Sequence, residues 1–502
     1  MHASALVWMV RLPPAAAPQL NHPLGYLYLA AALRRRGFWN LRVLDLAPSG
    51  LTEADVLAAA ARARPAVIFL TLCTVDLPAA LAFGGRLAAA CPDAVFVAGG
   101  SHVTGDPAGT LDALPFLRFA VSGEGEATAV ELLERLGEGA ADAFDDVKGL
   151  TFRAVDGEIR QNPPRALPER LDDDLWPAWD LVHLPSYFGY PRMGGLYRHP
   201  EYASLFTSRG CYYACEFCHD VFGRRFRAYP ADRVLDEMEF LVRKHGIREF
   251  QVIDDLFNGD RERTLAICEG IRRRGLRVAL AFPNGLRTDR LDDDEIDALV
   301  GAGAWRVCVS PETASARLQD ESRKHADLAR IEHVIAALDR RRVVTSGFFM
   351  LGFPGETEAE LDATIDWALR SRLHIVNFFR VIPMPGTQLR RRVQEMGHPL
   401  AQSAAAYEAL GSSFNLSAVP LEVIERKQRD AIRAFYGDPR RLVRLAQVLP
   451  LRAGLVPSYA YELLMRTTLG TYGTHLITKA SRADGARTIL EWLRIAGENP
   501  AA

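Results

Sequence analysis

The segment ASLFTSRGCYYACEFCHD (203–220) joins a predicted strand, ASLFTS, to a loop that carries three cysteines. Cys211, Cys215 and Cys218 follow the spacing Cys-x3-Cys-x2-Cys. The chain has seven cysteines in 502 residues, and the other four stand singly. Cysteines that are odd in number and mostly scattered do not indicate a disulfide framework. They are typical of a protein in a reducing compartment. The clustered thiols therefore predict a metal centre that follows a strand.

Strand-like and helix-like runs alternate between residues 201 and 395, a range that begins just before the cysteine loop. Five further strands are predicted at EFQVIDD (249–255), RVALAF (277–282), RVCVSPE (306–312), VTSGFFMLGFP (344–354) and IVNFFRVIP (375–383). Strands that alternate with helices form parallel sheets through right-handed crossovers. Six such repeats predict a complete or partial parallel β/α barrel, here a (β/α)6 barrel.

Residues 1–140 alternate in the same way and predict a Rossmann-like α/β domain with a parallel sheet. Small polar turns, GGSH (99–102) and SGEGE (122–126), follow two of its predicted strands. Ligands of open α/β sheets bind at such carboxyl ends. Residues 141–200 are rich in Pro, Asp and Trp and predict an ordered connector. Residues 396–502 lack the alternation and predict a mainly helical region.

Whole-chain properties exclude several classes of protein. The net charge of −2 is too small and of the wrong sign to attract nucleic acid or an anionic membrane. No run of about 18 apolar residues is present, so we expect no membrane span. The start MHASALVWMVRLPP lacks the basic cluster and long apolar run of a secretory signal. These features, with the scattered cysteines, predict a cytoplasmic protein.

Two metal centres suit three thiolates in one loop. Structural zinc usually takes four ligands, and His219, which directly follows Cys218, would strain a tetrahedron as the fourth. An iron–sulfur cluster prefers thiolates, and three ligands leave one iron of a [4Fe–4S] cluster open. An open iron can bind a substrate or cofactor. We therefore favour the iron–sulfur cluster over structural zinc.

The cysteine loop, placed after the first strand of a β/α repeat, resembles the signature of the radical S-adenosylmethionine (SAM) superfamily. This resemblance implies that Cys211, Cys215 and Cys218 bind the cluster and that the open iron binds the amino and carboxylate groups of SAM. One electron, supplied by an external donor such as a flavodoxin or ferredoxin, then cleaves SAM to methionine and a 5′-deoxyadenosyl radical. The aromatic residue before the third cysteine, Phe217, is expected near the adenine.

Other strand ends resemble the SAM-binding positions of the same family. Asp254 and Asp255 in IDDLFN, Glu312 in SPETAS and Gly352 in MLGFPGET are implied to contact SAM. The alternative for the two aspartates is a pair of solvated loop acids. The alternative for Gly352 is a tight turn that caps the next helix.

The first 140 residues resemble the cobalamin-binding domain that precedes the barrel in a large radical SAM subfamily. The resemblance lies in the order of LDLAP, TLCTVDL, VAGGSHVTGDP and VSGEGEATAVELL. It implies that cobalamin is bound by Thr71, Thr74, Gly99, Gly100, His102, Gly123, Glu124 and Gly125. The Asp-x-His-x-x-Gly motif of many cobalamin proteins is absent: DLAPSG (45–50) has Ala47 at the His position. The lower ligand of cobalt is therefore unassigned, and His22 is expected to be a turn residue.

The resemblance implies a methyltransferase in which the adenosyl radical abstracts hydrogen from an unactivated carbon and methylcobalamin delivers the methyl group. Non-methylating cyclisation, ring rearrangement or oxidation begins with the same radical and stays open. A non-catalytic cobalamin sensor or carrier is a further alternative. Methylthiolation needs three more cluster cysteines, and the first domain has only Cys73 and Cys91. The substrate is expected to be a small molecule, a lipid, a tetrapyrrole or a peptide.

Overall fold

The computed structural model describes residues 5–12, 20–138, 143–188, 190, 192–193, 195–398 and 414–449. Within these ranges the chain forms two compact units. The first contains the described residues up to Pro168 and those from Asp174 to Arg192. The second contains Glu169–Asp173 and the described residues from Met193 onwards. The domain limits that we expect near residues 140, 200 and 395 stay predictions.

The first unit is built on a seven-stranded sheet in the order β2-β1-β3-β4-β5-β6-β7. Its strands are β1 (Val7–Arg11), β2 (Leu41–Asp45), β3 (Val67–Thr71), β4 (Val95–Gly99), β5 (Phe119–Val121), β6 (Leu150–Arg153) and β7 (Ile159–Gln161). The strands β1 to β5 pair with one another in parallel. Residues Val7 to Val10 are fully or almost fully buried, as a central parallel strand requires.

Helices flank this sheet and bury its apolar residues. They are α1 (Leu24–Arg35), α2 (Leu46–Ser49), α3 (Glu53–Ala63), α4 (Leu77–Ala79), α5 (Gly85–Ala90), α6 (Ser101–Gly105), α7 (Pro107–Ala113) and α8 (Gly125–Gly137). A π-helical segment, Ala80–Gly84, joins α4 to α5. Thr52 and Asp55 form a capping box that begins α3. The sequence pattern did not indicate α6 and α7, which follow the turn after β4.

Two antiparallel strands extend the sheet within the segment that we expected to be a connector. β6 pairs with β5, and β7 pairs with β6. Leu150 and Phe152 are buried in the core of this edge. Strands of three or four residues give too short an alternation to be recognised, which explains why the sequence pattern did not indicate them.

The second unit contains a six-stranded parallel sheet in the order β15-β14-β13-β12-β11-β8. Its strands are β8 (Tyr202–Leu205), β11 (Glu249–Val252), β12 (Ala279–Phe282), β13 (Ala304–Glu312), β14 (Val344–Leu351) and β15 (Ile375–Arg380). A separate antiparallel pair, β9 (Ser208–Arg209) and β10 (Arg227–Ala228), follows β8. The six sequential parallel strands confirm the predicted partial β/α barrel.

The helices of this unit lie between the strands and at its carboxyl end. They are α9 (Ala231–His245), α10 (Arg261–Arg273), α11 (Asp293–Gly301), α12 (Ala316–Glu321), α13 (Leu328–Arg340), α14 (Glu358–Arg370), α15 (Gln388–Glu395), α16 (Leu421–Gly437) and α17 (Pro439–Val448). Capping boxes begin α11 and α14. α16 and α17 are helical as expected, whereas residues 399–413 and 450–502 of the predicted helical region lie outside the described residues.

Across the residues that the structure describes, no helix combines the length and the apolar character needed to cross a bilayer.

Candidate functional site

The cysteine loop occupies residues 210–226, between the paired strands β9 and β10. The antiparallel pairs Arg209–Arg227 and Ser208–Ala228 close its two ends. The backbone N–H of Cys211 donates to Gly223 O at 3.3 Å inside the loop. The predicted metal-binding segment is therefore a closed loop at the carboxyl-terminal edge of the barrel.

Gly210 sets the direction in which the chain enters the loop. Its φ is +81°, and a Cβ at this position would lie 2.3 Å from Arg225 O. Its N–H donates to a carboxylate oxygen of Asp255 at 3.1 Å. Because Asp255 follows β11, this bond ties the loop to a strand end. Only glycine fits both the conformation and the space.

Glu216 fastens the middle of the loop to two other segments. Its N–H donates to Ser322 O at 2.9 Å, and its carbonyl accepts the N–H of Leu389 at 2.8 Å. Its carboxylate pairs with Arg392 at 3.1 Å and is buried. Burial raises the pKa of Glu216, and Arg392 opposes that rise. These bonds fix the backbone between Cys215 and Cys218.

The three thiols differ in exposure and acidity. Cys211 is half-buried, Cys215 is buried and Cys218 is exposed. Burial raises the pKa of Cys211. A hydrogen bond from the Cys218 thiol lowers the pKa of Cys215 to about 6, with a further contribution from the cation of Lys324. The same hydrogen bond raises the pKa of Cys218. Thiolates are the metal-binding form of cysteine, so the loop favours at least one ligand at neutral pH.

These residues fit an iron–sulfur cluster by their donor chemistry. Within the described ranges no three His, Cys, Asp or Glu side chains surround one metal-sized point. A [4Fe–4S] cluster does not require such convergence, because each thiolate binds a different iron. The ligand role of the cysteines stays a prediction.

Glu312, at the end of β13, is a predicted SAM contact and has an unusual backbone. Its φ is +64°, and the pairing between β13 and β14 shifts register just before it. Its buried carboxylate lies 3.1 Å from Nζ of Lys324. Burial alone would lower the pKa of Lys324, but the Glu312 carboxylate raises it. Strained residues of this kind concentrate at binding sites.

Phe217 is half-buried and packs against apolar residues of neighbouring strand ends. Its ring lies 6.1 Å from that of Phe353, in an edge-to-face arrangement. Leu318 and Val381 belong to the same cluster. The ring is therefore held beside the cysteines, and its predicted role near an adenine stays untested.

Gly352 follows β14 in a left-handed conformation, with φ +92°. Its N–H and that of Phe353 donate to one carboxylate oxygen of Glu356. This is the tight turn that we gave as the alternative for Gly352. A Cβ at Gly352 would meet only Ile424, at 3.9 Å, so the glycine is required by its backbone conformation and not by a close contact.

Asp254 and its neighbour Asp255 have different surroundings. Asp254 is buried, and its carboxylate accepts bonds from Thr207 N at 2.7 Å and Ser208 Oγ at 2.7 Å. Burial raises the pKa of Asp254. The contacts of Asp254 give it a positioning role for the link between β8 and β9. Asp255 is exposed and holds Gly210, as described above. Asp254 is therefore not a solvated loop acid, and the contacts of both aspartates to SAM stay predictions.

The predicted cobalamin residues lie along one edge of the first unit's sheet, where β3, β4 and β5 end. Thr71 ends β3 and is paired in register with Gly99 at the end of β4. Gly100 has φ +105°, and a Cβ there would lie 2.7 Å from Leu72 O and 2.9 Å from Thr71 Oγ1. The two glycines thus form a ledge without side chains, which fits a long cofactor tail that lies on the backbone.

Thr74 and His102 form a buried pair beside this ledge. Thr74 Oγ1 lies 3.0 Å from His102 Nδ1, and the His102 N–H donates to Leu72 O at 3.1 Å. Both side chains are about 5% exposed. The pair joins the turn after β3 to the start of α6, next to Gly100 in the chain.

The remaining predicted cobalamin residues form the turn between β5 and α8. Gly123 has φ +74°, and its N–H donates to Thr104 Oγ1 at 3.0 Å. Glu124 is the residue before the first turn of α8, and Gly125 begins that helix. Helix amino termini favour anionic groups such as phosphates. All eight predicted residues therefore lie at strand ends of one sheet edge, as the sequence indicates.

His22 lies in the loop before α1, where its carbonyl accepts the N–H of Leu24 at 2.8 Å, and its side chain is buried. Its ring stacks on Tyr187 at 4.3 Å and meets Trp179 edge-to-face at 5.7 Å. It is 3% exposed, and burial lowers its pKa to about 3. His22 is a core residue of the first unit, packed between aromatic rings.

Comparisons with known proteins agree with both halves of this arrangement. A model of the radical SAM superfamily matches residues 205–368. A model of the B12 binding domain matches residues 14–133. The chain therefore contains one region that matches the radical SAM superfamily and, before it, one region that matches the B12 binding domain.

Three proteins show what this chain is similar to. An uncharacterized methyltransferase of Pyrococcus horikoshii is 27% identical over 84% of this chain and 89% of its own. The anaerobic magnesium-protoporphyrin IX monomethyl ester cyclase of Rubrivivax gelatinosus is 28% identical over 75% of this chain and 66% of its own. The third is the structure of the radical SAM methyltransferase TsrM from Kitasatospora setae, which was solved with cobalamin and a [4Fe–4S] cluster bound. It superposes on this chain with a TM-score of 0.67 at 20% sequence identity. The match covers 98% of this chain and 100% of TsrM. TsrM supports the fold.

Two basic residues beside the cysteines were not found from the sequence. Lys324 lies in a polar run, SRKH, that resembles any exposed turn. Arg287 lies over the ring of Tyr213 at 4.0 Å and donates to Lys324 O at 3.1 Å. Their closeness to the thiols depends on tertiary contacts, so no local signal could identify them.

Proposed function

We propose that this protein is a cobalamin-dependent radical SAM methyltransferase that methylates an unactivated carbon. One observation carries the proposal: a single chain contains a closed cysteine loop at the carboxyl-terminal edge of a parallel barrel and a glycine ledge at the strand ends of a B12-binding domain. The cofactors, when bound, supply an adenosyl radical and a transferable methyl group. The protein's residues supply binding, orientation and electrostatics.

In this proposal each residue of the barrel site has a distinct task. Cys211, Cys215 and Cys218 bind three irons. Gly210 and Asp255 fix the loop entry, and Glu312 would hydrogen-bond SAM. Lys324 balances the negative charge of the thiolates and of Glu312, and Phe217 covers the adenine.

In the first unit, the ledge of Gly99 and Gly100 would carry the nucleotide tail of cobalamin. The hydroxyls of Thr71 and Thr74 would donate to that tail. Gly123, Glu124 and Gly125 would bind its polar groups at the start of α8, and His102 would hold Thr74 in place. No lower ligand of cobalt is assigned.

The decisive experiment uses anaerobically reconstituted protein, a reductant and SAM that carries a deuterated methyl group. Extracts of the source cells serve as the substrate pool. We expect 5′-deoxyadenosine together with a product that has gained the labelled methyl group. A variant with all three loop cysteines replaced by alanine is the control and should form neither. Turnover in that variant would refute the proposal.

A second candidate function keeps both cofactors but transfers no methyl group. The similarity to the Rubrivivax gelatinosus cyclase favours it. It predicts 5′-deoxyadenosine and an unlabelled product that has lost hydrogens or gained oxygen. The mass of the product in the same experiment separates the two functions. Corrinoid binding without any cleavage of SAM would instead indicate a sensor or carrier.

The substrate, the electron donor and the compartment belong to the proposal as well. We keep a small molecule, a lipid, a tetrapyrrole or a peptide as substrate classes. A flavodoxin or ferredoxin would supply the electron. The seven cysteines are free thiols in the structure, which suits a reducing cytoplasm. The electron donor is tested by a pull-down from cell extract with this protein as bait. The captured protein is then assayed for its ability to reduce the cluster.

A further inference from the structure

We propose that a cavity at the amino-terminal edge of the barrel binds a phosphorylated small molecule that carries a di- or triphosphate group. The cavity has a volume of about 570 Å³. Four arginines line it: Arg198, Arg248, Arg272 and Arg277. We call it the arginine cavity.

The arginine cavity lies at the opposite end of the strands from the cysteine loop. Arg248 directly precedes β11, and Arg277 lies two residues before β12. Gly303, another lining residue, directly precedes β13. The cysteine loop is instead bound to Asp255, beyond the end of β11. Nine-residue β13 spans about 30 Å at the usual strand rise. The arginine cavity is therefore separate from the proposed radical site.

The charge of the arginine cavity comes from its four guanidinium groups. Within the described ranges none of them has an ion pair or a side-chain hydrogen bond. The neighbouring Arg274 differs, since it pairs with Asp236 at 2.5 Å and with Glu239 at 3.1 Å. The nearby carboxylates of α9 are thus used by Arg274, and the cavity keeps an excess of positive charge.

The protein holds one wall and the floor of this cavity in place. Buried Glu249 accepts the backbone N–H groups of Arg198 at 2.7 Å and His199 at 2.9 Å. This fixes the segment that carries Arg198. At the floor, Gly303 has φ +103°, and a Cβ there would lie 2.2 Å from Val278 O. Glycine at 303 thus allows the backbones that lead into β12 and β13 to approach closely, which fixes the residues on this side of the cavity.

Size and chemistry indicate the class of ligand. Small-molecule sites usually have volumes of about 300–1,000 Å³. Guanidinium groups bind phosphate oxygens bidentately, and several of them suit a ligand with several negative charges. Leu276, which is partly exposed, adds apolar surface for an uncharged organic portion. A phosphorylated metabolite or nucleotide satisfies all three features.

The test is isothermal titration of the full-length holoprotein with two probes, inorganic tripolyphosphate and ATP. The first probe reports on phosphate recognition alone, and the second adds an organic portion. We expect saturable binding of at least one probe with one site per chain. The double substitution Arg272→Ala/Arg277→Ala should weaken it at least tenfold. Arg273→Ala is the matched control, because Arg273 is exposed on the same helix but does not line the cavity.

The proposal is wrong if neither probe binds saturably, if Arg273→Ala loses as much affinity as the double variant, or if sulfate binds as tightly as tripolyphosphate. Thermal melting shows whether the double variant folds. Arg198→Ala/Arg248→Ala repeats the test from the other wall and must also weaken binding. Cluster content and SAM cleavage are measured in parallel, so that failure of the arginine cavity is distinguished from failure of the proposed function.

Discussion

Lys324 Nζ lies 3.1 Å from Oε1 of Glu312, and the backbone of Glu312 is in the left-handed region with φ +64°. A left-handed conformation costs a non-glycine residue about 1 kcal/mol or more. The side chain of Glu312 is thereby held at the end of β13, at the same edge as the cysteine loop. This arrangement supports a binding role for Glu312 better than a role in strand stability.

Replacement of Glu312 tests that role. Glu312→Gln keeps the shape of the side chain but removes its charge, so it should weaken a charge-assisted bond to SAM by about 1.5–3 kcal/mol. We expect a ten- to hundredfold higher dissociation constant for SAM in anaerobic titration calorimetry, with unchanged iron content. Glu358→Gln, at an exposed ion pair with Lys427, is the control. Equal affinity in wild type and Glu312→Gln would remove Glu312 from the site.

Gly210→Ala tests the geometry of the loop. The added Cβ would lie 2.3 Å from Arg225 O, and the residue must also keep φ +81°. We expect the variant to lose most of its iron on anaerobic reconstitution, as measured by iron and sulfide assays. Gly246→Ala is the matched control, because Gly246 has φ +67° but no atom within 4 Å of the added Cβ. Similar iron loss in both variants would show that backbone strain, and not the clash in the loop, is responsible.

Gly100→Ala separates the two cofactors. Its Cβ would lie 2.7 Å from Leu72 O, so the ledge at the end of β4 must shift. We expect less bound cobalamin per chain by absorbance, with iron content retained, because the cysteine loop lies in the other unit. Gly25→Ala, in α1 with nothing within 4 Å, should bind cobalamin normally. Full cobalamin binding by Gly100→Ala would argue against the ledge.

Glu356 gives the folding stability a dependence on pH. Burial raises its pKa from 4.5 to about 7, and its Oε1 has no partner among the described residues. The folded chain therefore binds more protons than the unfolded chain between these two values. The free energy of unfolding should fall as pH rises through this window, by about 3 kcal/mol at most.

Glu356→Gln should abolish this dependence. We expect the melting temperature of the variant, relative to wild type, to rise between about pH 5 and about pH 8. Glu360→Gln is the control, because the pKa of Glu360 is shifted in the opposite direction. A hydrogen bond from Arg317 lowers the pKa of Glu360 to about 2, so its contribution is lost only as pH falls below 4.5. A constant difference between Glu356→Gln and wild type across this range would contradict the assignment.

The sequence predicts the barrel well because its signals are local. Each barrel strand is a short apolar run bounded by a helix, and the three cysteines lie within eight positions of one loop. The strand-end positions of the first unit, such as Gly99 and Gly100, are also visible, since glycines directly follow apolar runs. These features depend only on residues that are close in the sequence, so they can be recognised without the tertiary structure.

Other features depend on contacts between distant segments and could not be predicted. Asp254 belongs to a visible pair of acids, but only the structure shows that its carboxylate is bonded to Thr207 and Ser208. The burial of the His22 side chain was not visible either, because its aromatic neighbours Trp179 and Tyr187 lie far along the chain. The same reason explains why Lys324 was not recognised.

The central claim is that the loop of Cys211, Cys215 and Cys218 holds a [4Fe–4S] cluster whose open iron binds SAM. Electron paramagnetic resonance of the dithionite-reduced protein, recorded before and after addition of SAM, tests it most directly. The account predicts a reduced-cluster signal that changes on addition of SAM and is absent when the three cysteines are replaced by alanine. A protein that contains zinc instead of iron, or a signal that SAM leaves unchanged, would contradict it.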